Sequence, residues 1–174
     1  MSTDSLRSAI RDVPDFPKPG IVFKDITPIL SDPSHFRQSI SLLCDTARGE
    51  KIDKVVGIDA RGFIFAAAVA DRLGAGFVPI RKAGKLPWQT RGLAYSLEYG
   101  EATVEIHEDA LATGEKVLLV DDLLATGGTA AAAVQLIDGL GAHLVAASFL
   151  IELSFLHGRQ ALGDHRIESI LAYE

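Results

Sequence analysis

Two adjacent aspartates and a glycine-rich turn lie between an apolar run and a helical segment. Val117–Val120 is apolar, Asp121 and Asp122 follow it, and residues 125–129 read Ala-Thr-Gly-Gly-Thr. Glycines let the backbone approach a ligand closely, and the free N–H groups at a helix start attract an anion. Carboxylates accept hydrogen bonds from hydroxyls and attract hard cations such as Mg²⁺. The pattern predicts a site for a phosphorylated sugar.

The same run excludes two other phosphate-binding motifs. A Walker A loop ends in Gly-Lys followed by Ser or Thr, and the dinucleotide fingerprint spaces its glycines as Gly-x-Gly-x-x-Gly. Residues 125–129 match neither pattern. The alternative is an ordinary strand-to-helix turn, with glycines for backbone geometry and acids for capping. Two adjacent acids together with Thr-Gly-Gly-Thr favour the ligand site.

Basic residues follow two other predicted strands. Arg61 comes shortly after one strand, Arg81 and Lys82 directly follow another, and Lys85 lies a little further on. Residues 81–97 include four basic residues and no acid, although the whole chain has a net charge of −6. A local basic stretch in an acidic protein indicates one small anionic ligand rather than a polyanion. The alternative is a solvated cluster of surface charges.

Strands and helices alternate through the middle of the chain. This order predicts an α/β fold, a mainly parallel sheet with helices on both faces. Ligands of such sheets bind beyond the carboxyl ends of the strands. The predicted helices are Ser5–Arg11, Pro33–Ala47, Arg61–Leu73 and a segment from Ala130 to Ile137. The predicted strands are Ile21–Phe23, Lys54–Ile58, Phe77–Ile80, Val117–Val120, Leu144–Ile151 and Ile167–Ala172.

A flexible loop and a hairpin are predicted for about residues 82–106. Residues 83–92 contain Gly, Pro, Gln and Thr with little periodicity, which is typical of a mobile loop. Leu93–Leu97 and Thr103–Ile106 are expected to pair around Tyr99-Gly100.

The length of 174 residues predicts a single domain over residues 1–174. Cys44, the only cysteine, lies on an apolar helix face, where a free thiol packs more often than it reacts. The apolar runs are too short to cross a bilayer, and the N-terminal residues lack the apolar core of a signal peptide. We therefore expect a cytoplasmic protein that binds neither membranes nor, given its acidity, nucleic acid.

Residues 117–129 resemble the phosphoribosyl pyrophosphate (PRPP) signature of the type I phosphoribosyltransferases. Four further segments resemble the adenine phosphoribosyltransferases of that family, in the family's order and over nearly the whole chain. These segments are FPKPGIVFKDITP at 16–28, DARGF at 59–63, RKAGKLP at 81–87 and YSLEYG at 95–100. The resemblance implies the type I phosphoribosyltransferase fold, with a small base-binding hood formed by about residues 1–32.

The resemblance also implies an activity. The family makes AMP and pyrophosphate from adenine and PRPP, with Mg²⁺. Ribose hydroxyls would bind Asp121 and Asp122, which would also hold the metal directly or through water. The other implied roles are 5′-phosphate binding by Ala125, Thr126, Gly127, Gly128 and Thr129; pyrophosphate binding by Arg61, Arg81, Lys82 and Lys85; adenine binding by Val22, Lys24 and Leu123; and catalysis by Glu98 and Tyr99. A homodimer is implied by the resemblance alone.

Plainer interpretations remain for several of these residues. Glu98 is otherwise a surface acid of a hairpin, and the three adenine-binding candidates are otherwise core or surface residues. Two other functions compete with the implied one. One is the same chemistry on hypoxanthine, guanine or xanthine; the other is a PRPP-sensing regulator that keeps the turn and lacks the chemistry.

Overall fold

The structure is a computed structural model that describes residues 3–96 and 101–174. The chain divides into two compact units, Met1–Leu42 and Leu43–Glu174. A single domain over the whole chain remains a prediction.

The first unit contains a two-stranded antiparallel ribbon. Its strands pair from Arg11 opposite Asp25 to Pro14 opposite Val22. The elements of this part of the chain are α1 (Asp4–Ala9), β1 (Arg11–Pro14), β2 (Val22–Asp25), α2 (Thr27–Ser31) and the start of α3 (Pro33–Asp45). Each of these elements agrees with the sequence-based expectation except α2, which was not expected, and β1, which was expected only as an extended or turning segment.

The start of α3 follows from local chemistry. The Asp32 carboxylate accepts hydrogen bonds from the backbone N–H groups of Ser34 and His35, both at 2.9 Å. Pro33 occupies the first helical position, where its missing N–H leaves no hydrogen bond unmade. The predicted helix start is confirmed.

The second unit is built on a seven-stranded, mostly parallel sheet. Its elements are β3 (Lys54–Ile58), α4 (Arg61–Leu73), β4 (Gly76–Lys82), β5 (Thr90–Ser96), β6 (Glu101–His107), β7 (Lys116–Leu124), α5 (Gly128–Gly139), β8 (His143–Leu153), two 3₁₀ helices (Ser154–Leu156 and Gly158–Leu162) and β9 (Ile167–Tyr173). The strand order is β5-β6-β4-β3-β7-β8-β9. Strands β4, β3, β7, β8 and β9 are parallel neighbours, and β6 runs antiparallel to both β4 and β5.

Helices flank the sheet because its central strands are apolar on both faces. Val117 and Leu119 of β7 pack in a core cluster that includes α5. The alternating residues Leu118 and Val120 are equally buried outside that cluster, and α4 packs on β3, β4 and β7. The α/β fold with a central, mainly parallel sheet flanked by helices is confirmed.

Several boundaries differ from the sequence-based expectation, three of them near the cavity. Strand β4 continues to Lys82, so Arg81 and Lys82 belong to the strand that they were expected to follow. Strand β5 begins at Thr90, so Thr90–Gly92 belong to the hairpin and not to the predicted loop. Strand β7 continues through the acidic pair to Leu124, beyond the predicted end at Val120. Within residues 3–96 and 101–174, no helix combines the length and apolarity that crossing a bilayer requires.

Candidate active site

A cavity of about 380 Å³ opens at the carboxyl ends of β3 and β7. These strands are parallel neighbours, with Gly57 opposite Val120, so the segments that follow them meet at one edge of the sheet. One part of the wall is residues 58–61, which run from the end of β3 to the start of α4. The other part is residues 121–130, which run from the end of β7 into α5. Parallel sheets bind ligands at this edge.

The acidic pair forms the inner wall of the cavity. The Asp122 side chain is only 8% exposed, and one of its oxygens lies 2.8 Å from Nε of Arg61. Asp121 accepts a hydrogen bond from the backbone N–H of Asp122 at 2.9 Å. Burial raises the pKa of both carboxyls, and the neighbouring Asp122 charge raises the pKa of Asp121 further. Among the described residues that line the cavity, only Arg61 carries a positive charge.

A glycine allows the first turn of α4 to approach the acidic pair. A Cβ atom on Gly62 would lie 2.4 Å from Oδ1 of Asp121, a distance that real Cβ atoms do not adopt. Any larger residue at position 62 would therefore displace Asp121 or α4.

The glycine-rich turn forms the opposite wall, directly before α5. Gly127 has φ +85°, a conformation that glycine adopts without a steric penalty. Helix α5 begins at Gly128, so the first N–H groups of a twelve-residue helix face this end of the cavity. The Thr129 hydroxyl donates a hydrogen bond to the Tyr95 hydroxyl of β5 at 3.1 Å.

Arg81 reaches the rim of the cavity through Asp59. Nε of Arg81 lies 3.1 Å from the Asp59 carboxylate, and Nη1 donates to the Lys85 carbonyl at 3.2 Å. Asp59 lines the cavity, and its peptide bond to Ala60 is cis. Lys82 and Lys85 are exposed and lie outside the cavity wall. The structure thus places Arg61 in the cavity wall and Arg81 beside the cavity. Lys82 is at the end of β4, and Lys85 follows that strand.

The remaining predicted site residues belong to the cavity wall, to the first unit, or to the part of the chain outside the described residues. Leu123 lines the cavity. Val22 and Lys24 belong to the ribbon of the first unit, where Nζ of Lys24 pairs with Asp12 at 2.6 Å. Glu98 and Tyr99, the predicted catalytic residues, lie outside the described residues.

Three residues of this region were missed as functional candidates. Asp59 was noted only as part of a motif, although an acid directly after a buried strand is a signal for this edge of the sheet. Tyr95 contacts Thr129, and Gly158 contacts the glycine-rich turn. Both are distant from the turn in sequence, so no local pattern indicates them.

The carboxylates of the cavity suit a metal ion that is bound together with a phosphate ligand. Within the described part of the chain, no group of three or more His, Cys, Asp or Glu side chains is arranged to hold a metal ion. The cavity instead offers two neighbouring carboxylates. Magnesium is often held by one or two carboxylates together with water and substrate phosphates, so these residues fit that kind of binding.

Comparison with known proteins gives a consistent result. Residues 29–161 match the phosphoribosyl transferase domain family. An adenine phosphoribosyltransferase from Anaeromyxobacter dehalogenans is 57% identical over 98% of this chain and 99% of its own length. The adenine phosphoribosyltransferase structure from Thermoanaerobacter pseudethanolicus has a TM-score of 0.96 at 48% identity, covering 99% of this chain and 100% of that one.

A third comparison comes from an enzyme solved with ligands. The adenine phosphoribosyltransferase of Saccharomyces cerevisiae, complexed with D-2,5-dideoxy-2,5-imino-altritol 1,6-bisphosphate and adenine, has a TM-score of 0.92 at 41% identity. The match covers 97% of this chain and 98% of the yeast chain. Identity at this level over nearly the full length of each relative shows that the chain belongs to the adenine phosphoribosyltransferases, within the phosphoribosyltransferase family.

Proposed function

We propose that this chain transfers the 5-phosphoribosyl group of PRPP to adenine, giving AMP and pyrophosphate, in the cavity at the carboxyl ends of β3 and β7. The observation that carries the proposal is the placement of the acidic pair, with Asp122 buried and Asp121 half-buried, and a helix-initiating glycine turn in one cavity. Family membership supports the reaction, which is a step of purine salvage. The yeast relative was solved with adenine and a bisphosphate together, which supports a site for two ligands.

The two walls of the cavity would hold the two ends of the ribose phosphate. The backbone N–H groups and hydroxyls of residues 125–129 would bind the 5′-phosphate, because a helix start favours an anion. Asp121 and Asp122 would accept hydrogen bonds from the ribose hydroxyls. These contacts would hold the sugar with its C1 carbon between the leaving pyrophosphate and N9 of adenine.

The basic residues would bind the pyrophosphate of PRPP. Arg61 lies in the cavity wall and Arg81 beside it, and both offer a planar fork that matches phosphate oxygens. Lys82, the last residue of β4, and Lys85, three residues further on, add positive charge. In the reaction the C1–O bond to pyrophosphate breaks as the bond to adenine N9 forms. The leaving group departs with the bonding electrons, so positive charge near it lowers the barrier.

Magnesium, when bound, would neutralise charge on the pyrophosphate and so assist its departure. Asp121 and Asp122 would hold the ion directly or through water.

Adenine would lie on the Leu123 side of the cavity, with Val22 and Lys24 of the base-binding hood reading its edge. Glu98 would accept or orient the N9 proton that adenine loses, and Tyr99 would close the site over the sugar phosphate. The hood of about residues 1–32 and the flexible segment of about residues 82–106 belong to one catalytic domain in this proposal.

We place the protein in the cytoplasm, as a homodimer, with no nucleic-acid or membrane partner. Sedimentation at several protein concentrations tests the dimer.

An assay of base specificity tests the proposed reaction. The protein is mixed with PRPP, Mg²⁺ and adenine, hypoxanthine, guanine or xanthine in separate reactions, and nucleotide and pyrophosphate are measured. We expect AMP and pyrophosphate in equal amounts from adenine. Product from hypoxanthine and none from adenine would overturn the proposal, and PRPP binding without any product would favour a sensor.

The same assay separates binding from chemistry at Glu98. Glu98→Ala is expected to lower kcat with adenine by about 100-fold or more, the usual range for loss of a proton-transfer group. Binding of PRPP, measured by calorimetry, should change little. Near-normal turnover would remove Glu98 from the catalytic role.

A further inference from the structure

The glycine-rich turn is backed by a second segment of the chain, the 3₁₀ helix Gly158–Leu162, termed here the backing helix. A Cβ atom on Gly127 would lie 2.3 Å from the carbonyl oxygen of Gly158. A Cβ atom on Gly158 would lie 2.3 Å from the carbonyl oxygen of Ala125. Both glycines are buried. The two backbones therefore touch directly, and a shift of one segment must move the other.

Arg159, the residue after Gly158, links the backing helix to the sheet through hydrogen bonds. Its Nε and Nη2 donate to the two oxygens of Glu152 on β8, at 2.7 and 2.8 Å. Its Nη1 donates to the Ile167 carbonyl of β9 at 3.0 Å, and Nη2 also reaches the Ser169 hydroxyl at 3.3 Å. One side chain thus ties the segment to two neighbouring strands.

The Arg159–Glu152 ion pair is held in a fixed geometry because Glu152 is buried. Its side chain is 7% exposed, whereas that of Arg159 is 48% exposed. The hydrogen bonds from Arg159 lower the pKa of Glu152 despite its burial, so the carboxylate stays charged. A paired guanidinium–carboxylate fork holds both groups in one plane and one orientation. Removing the arginine would leave a buried charge without its main partner.

We propose that Arg159 is a positioning residue for the 5′-phosphate: through Glu152 and the backing helix it fixes the backbone of residues 125–129. This inference rests on the proposed function, since it takes the glycine-rich turn as the phosphate site. Arg159 itself does not line the cavity, so its effect on the ligand passes through the contact between Gly158 and the turn.

The test measures ribose 5-phosphate binding by calorimetry, with steady-state kinetics alongside. Arg159→Met keeps much of the side-chain volume and removes the charge and the donors. We expect its Kd for ribose 5-phosphate, and its KM for PRPP, to rise about tenfold, comparable to losing one charged hydrogen bond. We expect kcat at saturating PRPP to remain within about twofold, because the reacting groups are unchanged.

Arg166→Met is the matched control. Arg166 also pairs with a glutamate through Nε, contacting Glu168 at 2.8 Å, on an exposed site that does not touch the turn. Arg159→Lys is the milder variant, which keeps the charge and loses the fork. We expect it to weaken ribose 5-phosphate binding by about threefold, between wild type and Arg159→Met.

The outcomes separate this inference from the proposed reaction. Equal ribose 5-phosphate affinity in Arg159→Met and Arg166→Met, or a lowered kcat with unchanged affinity, overturns the positioning role. If Arg159→Met does not fold, wild-type affinity in a folded Arg159→Lys overturns it equally. A wild-type protein that binds ribose 5-phosphate but makes no AMP contradicts the proposed reaction alone, since the calorimetric comparison does not require turnover.

Discussion

At the scale of single residues, Asp121 and Asp122 are arranged for a ligand at the expense of the unliganded fold. Two adjacent carboxylates lie in the cavity wall, and Nε of Arg61 lies 2.8 Å from one of them, Asp122. Burial and the Asp122 charge raise the pKa of Asp121 well above its ordinary value of 3.8. A carboxyl whose pKa is raised on folding binds more protons in the folded chain than in the unfolded one. Stability therefore falls as the pH rises from the unfolded pKa through the folded one.

The first prediction follows from this loss of stability when Asp121 is ionised. Asp121→Asn keeps an oxygen that can accept the hydrogen bond from the Asp122 N–H and removes the charge. At about pH 7.5 the ligand-free variant should melt roughly 2–4 °C above wild type, the shift that about 1 kcal/mol produces in a chain of this size. Its kcat/KM for PRPP should fall by about tenfold or more, because a ribose and metal contact is lost. Thermal melting and kinetics measure the two effects.

The pH dependence of melting distinguishes this cause from a general effect of removing an acid. The gain from Asp121→Asn should shrink as the pH approaches about 4, where the wild-type carboxyl is itself protonated. Asp109→Asn, at an exposed position, removes the same charge from the surface and should not reproduce the gain. A gain that is equal at both pH values would contradict the account.

At the scale of elements, the β5–β6 hairpin contacts both ends of α5. The Tyr95 hydroxyl accepts the hydrogen bond of Thr129 in the first turn of α5. At the other end, Nη1 of Arg91 donates to the Gly139 carbonyl. The hairpin therefore fixes α5, whose start and the turn before it form the wall proposed to bind the 5′-phosphate, termed here the phosphate wall. In sequence, the two strands of the hairpin lie on either side of Glu98 and Tyr99, the residues proposed for catalysis.

The second prediction separates the two contacts. Tyr95→Phe keeps the ring in the core and removes the partner of Thr129, so the KM for PRPP should rise about threefold to fivefold, near 1 kcal/mol. Arg91→Met removes the contact at the far end of α5. It should lower the melting temperature and leave the KM for PRPP within about twofold. Similar KM values for the two variants would show that the Thr129 contact does not position the phosphate wall.

The elements differ in how far the sequence alone predicts them. Helix α4 was predicted with its observed ends, because Gly74 stops it in a left-handed conformation and its apolar residues recur around the helix. Strand β7 was predicted too short. The apolar run stops at Val120, yet the strand continues through both acids because its pairing with β8 extends to Leu124 and Arg61 pairs with Asp122.

The candidate site shows the same division. The turn at 125–129 and the acids before it are contiguous in sequence, so their chemistry was evident from residue types and spacing. The contacts from Tyr95 and Gly158 come from residues more than 25 positions away. They arise from strand order and the packing of the backing helix, which no local pattern encodes.

At the scale of the whole molecule, a negatively charged chain carries a local concentration of positive charge beside the cavity. The net charge is −6, which on its own opposes the approach of an anionic substrate. Arg81 and Lys82 end β4 at the same edge of the sheet as the cavity. Local positive charge at a site raises the encounter rate of an anion, and salt screens the effect.

The third prediction concerns this local field. We expect kcat/KM for PRPP to fall about threefold to tenfold between about 20 and 200 mM salt, whereas the KM for neutral adenine changes little. Lys82→Gln should lower kcat/KM for PRPP at low salt and flatten its salt dependence. Stopped-flow or steady-state kinetics over a salt series measures both slopes.

Lys51→Gln provides the control for net charge. Lys51 precedes β3, at the amino end of the parallel strands, and its only ion pair within the described residues is a 3.9 Å contact with Asp53. Both lysine variants remove one positive charge from the chain, so net charge alone predicts equal effects. If position at the cavity edge determines the field, Lys51→Gln keeps the wild-type salt slope and Lys82→Gln does not. Identical slopes in the two variants would assign the salt dependence to net charge and remove Lys82 from pyrophosphate binding.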